Sequence, residues 1–272
     1  MDPIKEFQTE VESNIAGLAA DRDVQGLSRI WSRETNRNGY SYNFSWLSRP
    51  IIQYPQDMVA MQEIIWNVKP DLIIETGIAH GGSLFFSASM LALLDMTEAI
   101  EAGTSMNPAK SHRRVLGIDI DIKAHNRKVI EAHPMSSRIT MIEGSSIAPD
   151  VVERVRAVAS DHGRILVFLD SNHSHDHVLA ELDAFAPLVS IGSYCVVFDT
   201  LIEDMPASLF LDRPWGPGDN PKTAVWEFLK QLEMKERKGS DGKPLRFETD
   251  KDIVHKLLIT VAPDGYLLRQ GE

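Results

Sequence analysis

The densest run of ionisable side chains in the chain is Asp170-Ser171-Asn172-His173-Ser174-His175-Asp176-His177, directly behind the apolar segment Ile165-Leu-Val-Phe-Leu169. A further acid, Asp199, closes a second apolar segment, Tyr194-Cys-Val-Val-Phe198. Short continuous apolar runs bounded by polar residues read as buried strands, so both acids stand at strand ends. Two carboxylates converging from neighbouring strands suit one hard divalent cation such as Mg2+, which prefers oxygen ligands and keeps several waters. Asp170 and Asp199 are therefore the expected metal ligands. His173, three residues past Asp170, is placed to take a proton from a hydroxyl that such an ion makes more acidic. The spacing His-x-His-x-His also offers imidazoles to zinc. The stretch starts a helix rather than running as a strand, however, and His175 and His177 are read as solvated residues of its first turn.

A second constellation lies upstream. Residues 71–75 form an almost wholly apolar strand ending in Glu75; Gly77, Gly81, Gly82 and Ser83 follow, and Leu84, Phe85, Ala88, Leu91 and Leu94 then recur with helical spacing. Glycine in such a turn reaches positive φ and lets a ligand lie against the main chain. The free N–H groups of the helix start can hold a polar or anionic ligand, with Ser83 a candidate cap. A dinucleotide fingerprint would read G-x-G-x-x-G directly after the strand. The order here, an acid and then Gly-x-x-x-Gly-Gly-Ser, suits S-adenosylmethionine better than NAD(P). An NAD(P)-dependent oxidoreductase and an ordinary structural turn stay as alternatives.

Stepping along the chain, the elements that must position these groups alternate. Residues 115–121, Val-Leu-Gly-Ile-Asp119-Ile-Asp121, read as the next strand, and an acid at its end is placed to accept from ribose hydroxyls; Asp119 is the candidate and Asp121 the alternative. Residues 139–146 read as a third strand with a Gly144-Ser145 turn whose backbone could hold an adenine ring. Strands alternating with helices predict a parallel sheet with helices on both faces, and ligands bind at the carboxyl ends of such strands. In the tail, Pro263-Asp264-Gly265 between the apolar runs 256–262 and 266–269 reads as a hairpin signal, which predicts an antiparallel ending to the sheet. Residues 3–34 read as two amphipathic helices, with Ile4, Phe7, Val11 and Ile15 on one face and Val24, Leu27, Ile30 and Trp31 continuing it. That face must cover the sheet, another subunit or the mouth of a site. Residues 36–50 are turn-rich and aromatic, and their aromatics are expected to pack on the domain; a helix opens near Asp57 with Met58, Met61, Ile64, Ile65 and Trp66 as its buried face. The loop 213–223 carries Pro and Gly around Trp215 and Lys222, the first placed to stack on a sugar face and the second to reach a polar group of the acceptor.

The 272 residues suffice for one large α/β domain with decoration, here divided into a helical extension, residues 1–50, and the nucleotide-type domain, residues 51–272. With 39 acidic against 28 basic residues, a net charge of −11, nucleic acid and anionic membrane are poor partners, and a small neutral or cationic ligand fits better. The single Cys195 sits in an apolar strand as a small hydrophobe. No apolar run approaches the ~20 residues of a membrane span, and the N-terminus lacks a signal-like pattern, so a cytoplasmic location is expected. The amphipathic N-terminal helices are compatible with a homo-oligomer.

These segments resemble a known family. Ile-Glu75-Thr-Gly77-Ile-Ala-His-Gly-Gly-Ser, Gly-Ile-Asp119-Ile-Asp, Leu-Asp170-Ser-Asn-His173 and Val-Val-Phe-Asp199-Thr are similar to the S-adenosylmethionine-dependent O-methyltransferases grouped with cephalosporin hydroxylase and the mycobacterial rhamnosyl O-methyltransferases, over residues 46–229. The resemblance implies a Rossmann-like α/β methyltransferase fold with a mostly parallel seven-stranded sheet. It implies Gly77, Gly81 and Asp119 at the cofactor, Asp170 and Asp199 on magnesium, His173 as base, and a small-molecule hydroxyl acceptor such as a glycoside. One departure stands out: relatives carry a Glu-Asp pair where this chain has Phe198-Asp199, so water, Asp176 or Glu203 is needed to complete a metal site. A cofactor-binding protein without catalysis is the reading this departure favours.

Overall fold

The computed structural model describes residues 2–271. Helices α1 (Pro3–Ala20) and α2 (Arg22–Asn36) lead into a two-stranded antiparallel hairpin, β1 (Phe44–Trp46) and β2 (Arg49–Ile51), followed by α3 (Pro55–Val68). The main sheet is built from β3 (Leu72–Thr76), β4 (Arg114–Asp119), β5 (Ile139–Glu143), β6 (Ile165–Leu169), β7 (Tyr194–Val197), β8 (Phe247–Thr249) and β9 (Tyr266–Arg269). Between these strands run α4 (Gly82–Glu101), α5 (Ala124–Ala132), α6 (Pro149–Ala159), α7 (His175–Phe185), α8 (Pro221–Met234) and α9 (Lys251–Leu257). The strand order is β5-β4-β3-β6-β7-β9-β8; the first five are parallel, and β9 runs antiparallel to both β7 and β8.

Strand β3 is buried at all five positions, as a central parallel strand must be. Side chains alternate between faces along it: Ile73 joins the core under α3 and α4, while Leu72 and Ile74 join the core under α6, α7 and α8. The helix α4 is the one helix among the described residues long and apolar enough to cross a membrane, and it is a core helix, with Leu84, Phe85, Phe86, Leu91 and Leu94 buried.

Three expectations are corrected. The antiparallel ending forms between β8 and β9; residues 251–257 are helical and Thr260 to Ala262 a buried loop, because Asp57 at the start of α3 accepts from the Val261 N–H, the Thr260 hydroxyl and the Tyr266 hydroxyl and pins that loop. Trp66 is exposed. In α2 the expected face is divided: Trp31 packs against the core, Ser28 and Ser32 are buried, and Leu27 and Ile30 are 64% and 50% exposed. The aromatic segment does pack on the domain. Trp31, Tyr40 and Tyr54 meet edge to face, and Trp46 meets Phe86 at 4.9 Å.

Candidate active site

The turn after β3 is shaped by the protein's own backbone. Gly77 has φ +89°, and a Cβ there would lie 2.0 Å from the Asp170 carbonyl oxygen; at Gly82 it would lie 2.2 Å from the Pro50 carbonyl oxygen. Gly81, φ +82°, caps α4 without a side-chain bond and would press a Cβ into Ile130. Glycine is required here by close packing of main chains before any ligand is considered. Ser83 does not cap the helix: its hydroxyl donates to Glu75. Glu75 is buried, and burial pushes its carboxyl up to about 7 against the opposing Ser83 hydrogen bond, leaving Oε2 with no partner. Asp119 accepts from the amides of Ile78 and Ala79 at 2.9 and 3.2 Å through Oδ2 and from Asp121 at 3.1 Å through Oδ1.

Asp119 also lines a hollow of about 130 Å³, together with Gly77, Ser145, Asn172 and His177. Gly144, φ +147°, turns the chain so that Ser145 reaches this hollow; its own N–H bonds the Asp119 carbonyl. His177 is not solvated. Its Nε2 lies 3.0 Å from the Ser146 hydroxyl and 3.5 Å from the buried Glu181 carboxylate. His175 is likewise engaged, with Nδ1 2.8 Å from the Thr223 hydroxyl. The solvated reading of both histidines fails because the start of α7 packs between the β5 turn and α8.

The acids at the ends of β6 and β7 converge. Ligand atoms of Asp170, His173 and Asp199 all lie within 4.8 Å of one another, and His173 Nε2 is 3.2 Å from Asp199 Oδ2. Asp199 sits at φ +56°, unusual for a residue with a side chain. Burial, then the neighbouring charges of Asp199, Glu75 and Glu181, hold the Asp170 carboxyl well above the usual range. Gln53 donates to Asp170 at 3.1 Å, and its own Oε1 is buried without a partner. Phe198 is 3% exposed and packs edge-on against Phe168, so it offers the site nothing. The replacements suggested for the missing ligand are not in place: Asp176 is exposed on α7, and the Glu203 carboxylate accepts from Gly218 and Asn220. His173 stands beside the two acids. The carboxylates of Asp170 and Asp199 form an oxygen donor pair that fits a hard divalent cation, whose charge would offset what burial costs Asp170.

The cluster opens into a cleft of about 610 Å³ that also contains the Gly77 to Ser83 turn, with Tyr42, Leu209, Phe210, Arg213 and Trp215 on its outer wall. The Trp215 ring meets the His173 ring edge-on at 4.9 Å. Lys222 is not in the cleft. It is 6% exposed, its ammonium lies 2.7 Å from Asp204 and 3.3 Å from Asp264, and it faces the Trp226 ring. The Asn220 capping box fixes the first turn of α8 and turns Lys222 inward, so it does not reach an acceptor. Gln53 is a cavity residue that no motif announced, a lone polar residue whose place is set by long-range packing.

This sheet order, with an antiparallel final pair, a glycine turn after the central strand and acids at the carboxyl ends, defines the class of S-adenosylmethionine-dependent methyltransferases. Solved structures of CmcI share the fold: one with Mg and S-adenosylmethionine at TM-score 0.51 and 17% identity, covering 85% of this chain and 78% of that one, and an apo structure at TM-score 0.50 and 17% identity with the same coverage. The profile of the Rhamnosyl O-methyltransferase/CmcI family matches residues 38–270. The rhamnosyl O-methyltransferase of Mycobacterium tuberculosis is 30% identical over 217 residues, 78% of this chain and 73% of that protein; that of Mycobacterium leprae is 29% identical over 227 residues, 83% of each. The chain belongs to this family and is an S-adenosylmethionine-dependent O-methyltransferase. The dinucleotide oxidoreductase reading is thereby set aside.

Proposed function

We propose that this enzyme methylates a hydroxyl of a sugar or sugar-bearing small molecule at the Asp170, His173 and Asp199 cluster, and the convergence of those three groups beside the glycine turn carries the reading. The relatives named rhamnosyl O-methyltransferases support a glycoside acceptor. Bound S-adenosylmethionine supplies a methyl group on a sulfonium, and a divalent cation such as Mg2+ makes a nearby hydroxyl more acidic. Gly77, Gly81, Gly82 and Ser83 border the cofactor's methionine half, where the free Oε2 of Glu75 can pair with its ammonium. Asp119, Gly144 and Ser145 border its ribose and adenine. Asp170 and Asp199 would hold the cation. Trp215 would pack against the acceptor, and His173 would take the proton of the hydroxyl that receives the methyl group. Displacement at a sulfonium gains most from alignment, so holding both substrates in line is the protein's main contribution.

Residues 1–50 serve as an extension ahead of the methyltransferase domain, residues 51–272, and work in the cytoplasm is in keeping with use of this cofactor. The extension's outward face fits a second copy of the chain: Ile4 and Phe7 of α1 and Leu27 and Ile30 of α2 are exposed, α1 carries Glu6, Glu10 and Glu12 against Lys5, and α2 offers Arg22 and Arg29, its Arg33 being paired with Glu34. A two-fold pairing of α1 with α2 of the other copy satisfies both.

Phe198 favours a second reading, binding without catalysis, which product formation separates from the first. Calorimetric titration with S-adenosylmethionine and S-adenosylhomocysteine, each with Mg2+ and with chelator, tests the cofactor site. Binding of either is expected; no binding under any condition overturns the assignment.

A further inference from the structure

The glycine turn is held on its carbonyl side by residues that belong to neither the strand nor the helix it joins. Ala79 lies at φ +44°, a conformation that a residue with a side chain seldom keeps unless its surroundings enforce it. Its carbonyl accepts from Asn126 Nδ2 at 2.8 Å, and Asn126, on α5, is 4% exposed. The next carbonyl, of His80, accepts from Arg49 Nε at 3.0 Å and Nη2 at 2.7 Å, and the same Nη2 donates to Asn126 Oδ1 at 2.8 Å. Arg49 makes no ion pair among the described residues; its guanidinium is spent on this turn.

Arg49 stands on β2, whose next residue, Pro50, supplies the carbonyl against which Gly82 fits. The hairpin is itself fixed to α4, since Trp46 Nε1 donates to the Ser89 hydroxyl at 3.0 Å and its ring meets Phe86. On the amide side, Asp119 takes the N–H groups of Ile78 and Ala79. Ile78, Ala79 and His80 line the cleft, whereas Arg49 does not.

We propose that Arg49, with Asn126, is a positioning residue for the cofactor: it locks the Ala79 and His80 carbonyls to the hairpin and α5, so that the turn presents one fixed surface to the methionine half of S-adenosylmethionine. The proposal rests on the reading of this turn as the cofactor site, and it makes the β1–β2 hairpin of the N-terminal extension part of that site. The planar fork of arginine can serve His80 and Asn126 together, while a lysine ammonium can reach one of them with weaker geometry.

The test compares Arg49→Met and Arg49→Lys with wild type by calorimetry with S-adenosylhomocysteine, by KM and kcat for each substrate, and by melting temperature. Arg49→Met is expected to weaken S-adenosylhomocysteine binding and raise the cofactor KM about ten-fold, a loss of ~1.4 kcal/mol. The acceptor KM is expected to stay unchanged and kcat to hold within about three-fold. Arg49→Lys is expected to fall between the two, and carries the comparison alone if the Met variant does not fold. Cofactor affinity equal to wild type in the variants overturns the proposal, as does a lowered melting temperature with cofactor and acceptor KM moving together. Failure of wild type itself to bind would instead overturn the cofactor site.

Discussion

His173 Nε2 lies 3.2 Å from Asp199 Oδ2, and the two residues come from different loops, one following β6 and the other following β7. The contact fixes the imidazole beside the acids that would hold a cation, with Trp215 closing its other side. A base held this way is aimed at one point in the cleft. Replacing His173 with Ala is expected to lower turnover about 10²- to 10⁴-fold, the usual contribution of a positioned base. Affinity for S-adenosylhomocysteine should stay within a factor of about two, since no hydrogen bond links His173 to the glycine turn. Unchanged turnover would remove His173 from the base role.

The proposed pairing of Glu75 with the cofactor's ammonium predicts a pH dependence of defined sign for cofactor binding. In the free protein, burial raises its carboxyl from 4.5 to about 7, so it is about half protonated at neutrality and largely protonated below it. A bound ammonium favours the carboxylate and lowers that pKa, so binding near pH 7 releases a fraction of a proton. Affinity should therefore strengthen as pH rises toward and through about 7 and level off above it. Calorimetry in buffers of different ionisation enthalpy reads the proton directly, and Glu75→Gln should abolish both effects. A binding enthalpy independent of buffer would show that Glu75 does not meet the cofactor.

Lys222 is a structural cation. Lys222→Met leaves Asp204 and Asp264 facing each other without their shared partner. Because those acids are 41% and 39% exposed in their side chains, the loss is moderated by solvent, about 1–3 kcal/mol. The melting temperature should fall while the acceptor KM stays the same. A raised acceptor KM with an unchanged melting temperature would restore Lys222 to the binding site.

The exposed Leu27 and Ile30 of α2 bear on assembly. Light scattering coupled to gel filtration should find wild type larger than a monomer. The pair Phe7→Asp and Leu27→Asp should yield a monomer with its helical content and cofactor affinity retained. A monomeric wild type at micromolar concentration, or variants that stay associated, would sink the pairing of α1 with α2.

The residues legible in the sequence were those whose meaning is local. An apolar run followed by an acid marks a strand end, and that alone placed Asp119, Asp170 and Asp199 on one edge of the sheet, with Gly77 and Gly81 at a turn of positive φ. What local pattern could not show is which way a side chain faces once distant elements dock. Lys222 follows a Pro/Gly loop like a surface residue, yet the capping box of α8 turns it inward. Leu27 and Ile30 have the spacing of a buried face, yet the chain buries Ser28 and Ser32. The tail signals a turn correctly at residues 263–265, but Asp57, about two hundred residues upstream, decides that residues 260–262 form a pinned loop and that β8 is the pairing strand. The glycines were read as making room for a ligand; the first thing they make room for is the backbone at Asp170 and Pro50.

The central claim is transfer of a methyl group to a sugar hydroxyl at the Asp170, His173 and Asp199 cluster. The most direct measurement follows isotopically labelled methyl from S-adenosylmethionine into rhamnosides and other glycosides, with Mg2+ or chelator, for wild type and Asp199→Asn. The account predicts a labelled O-methyl sugar from wild type, formed faster with Mg2+, and a loss of about ten-fold or more in Asp199→Asn with cofactor binding retained. A protein that binds the cofactor but labels no glycoside, or an Asp199→Asn variant as active as wild type, would contradict it.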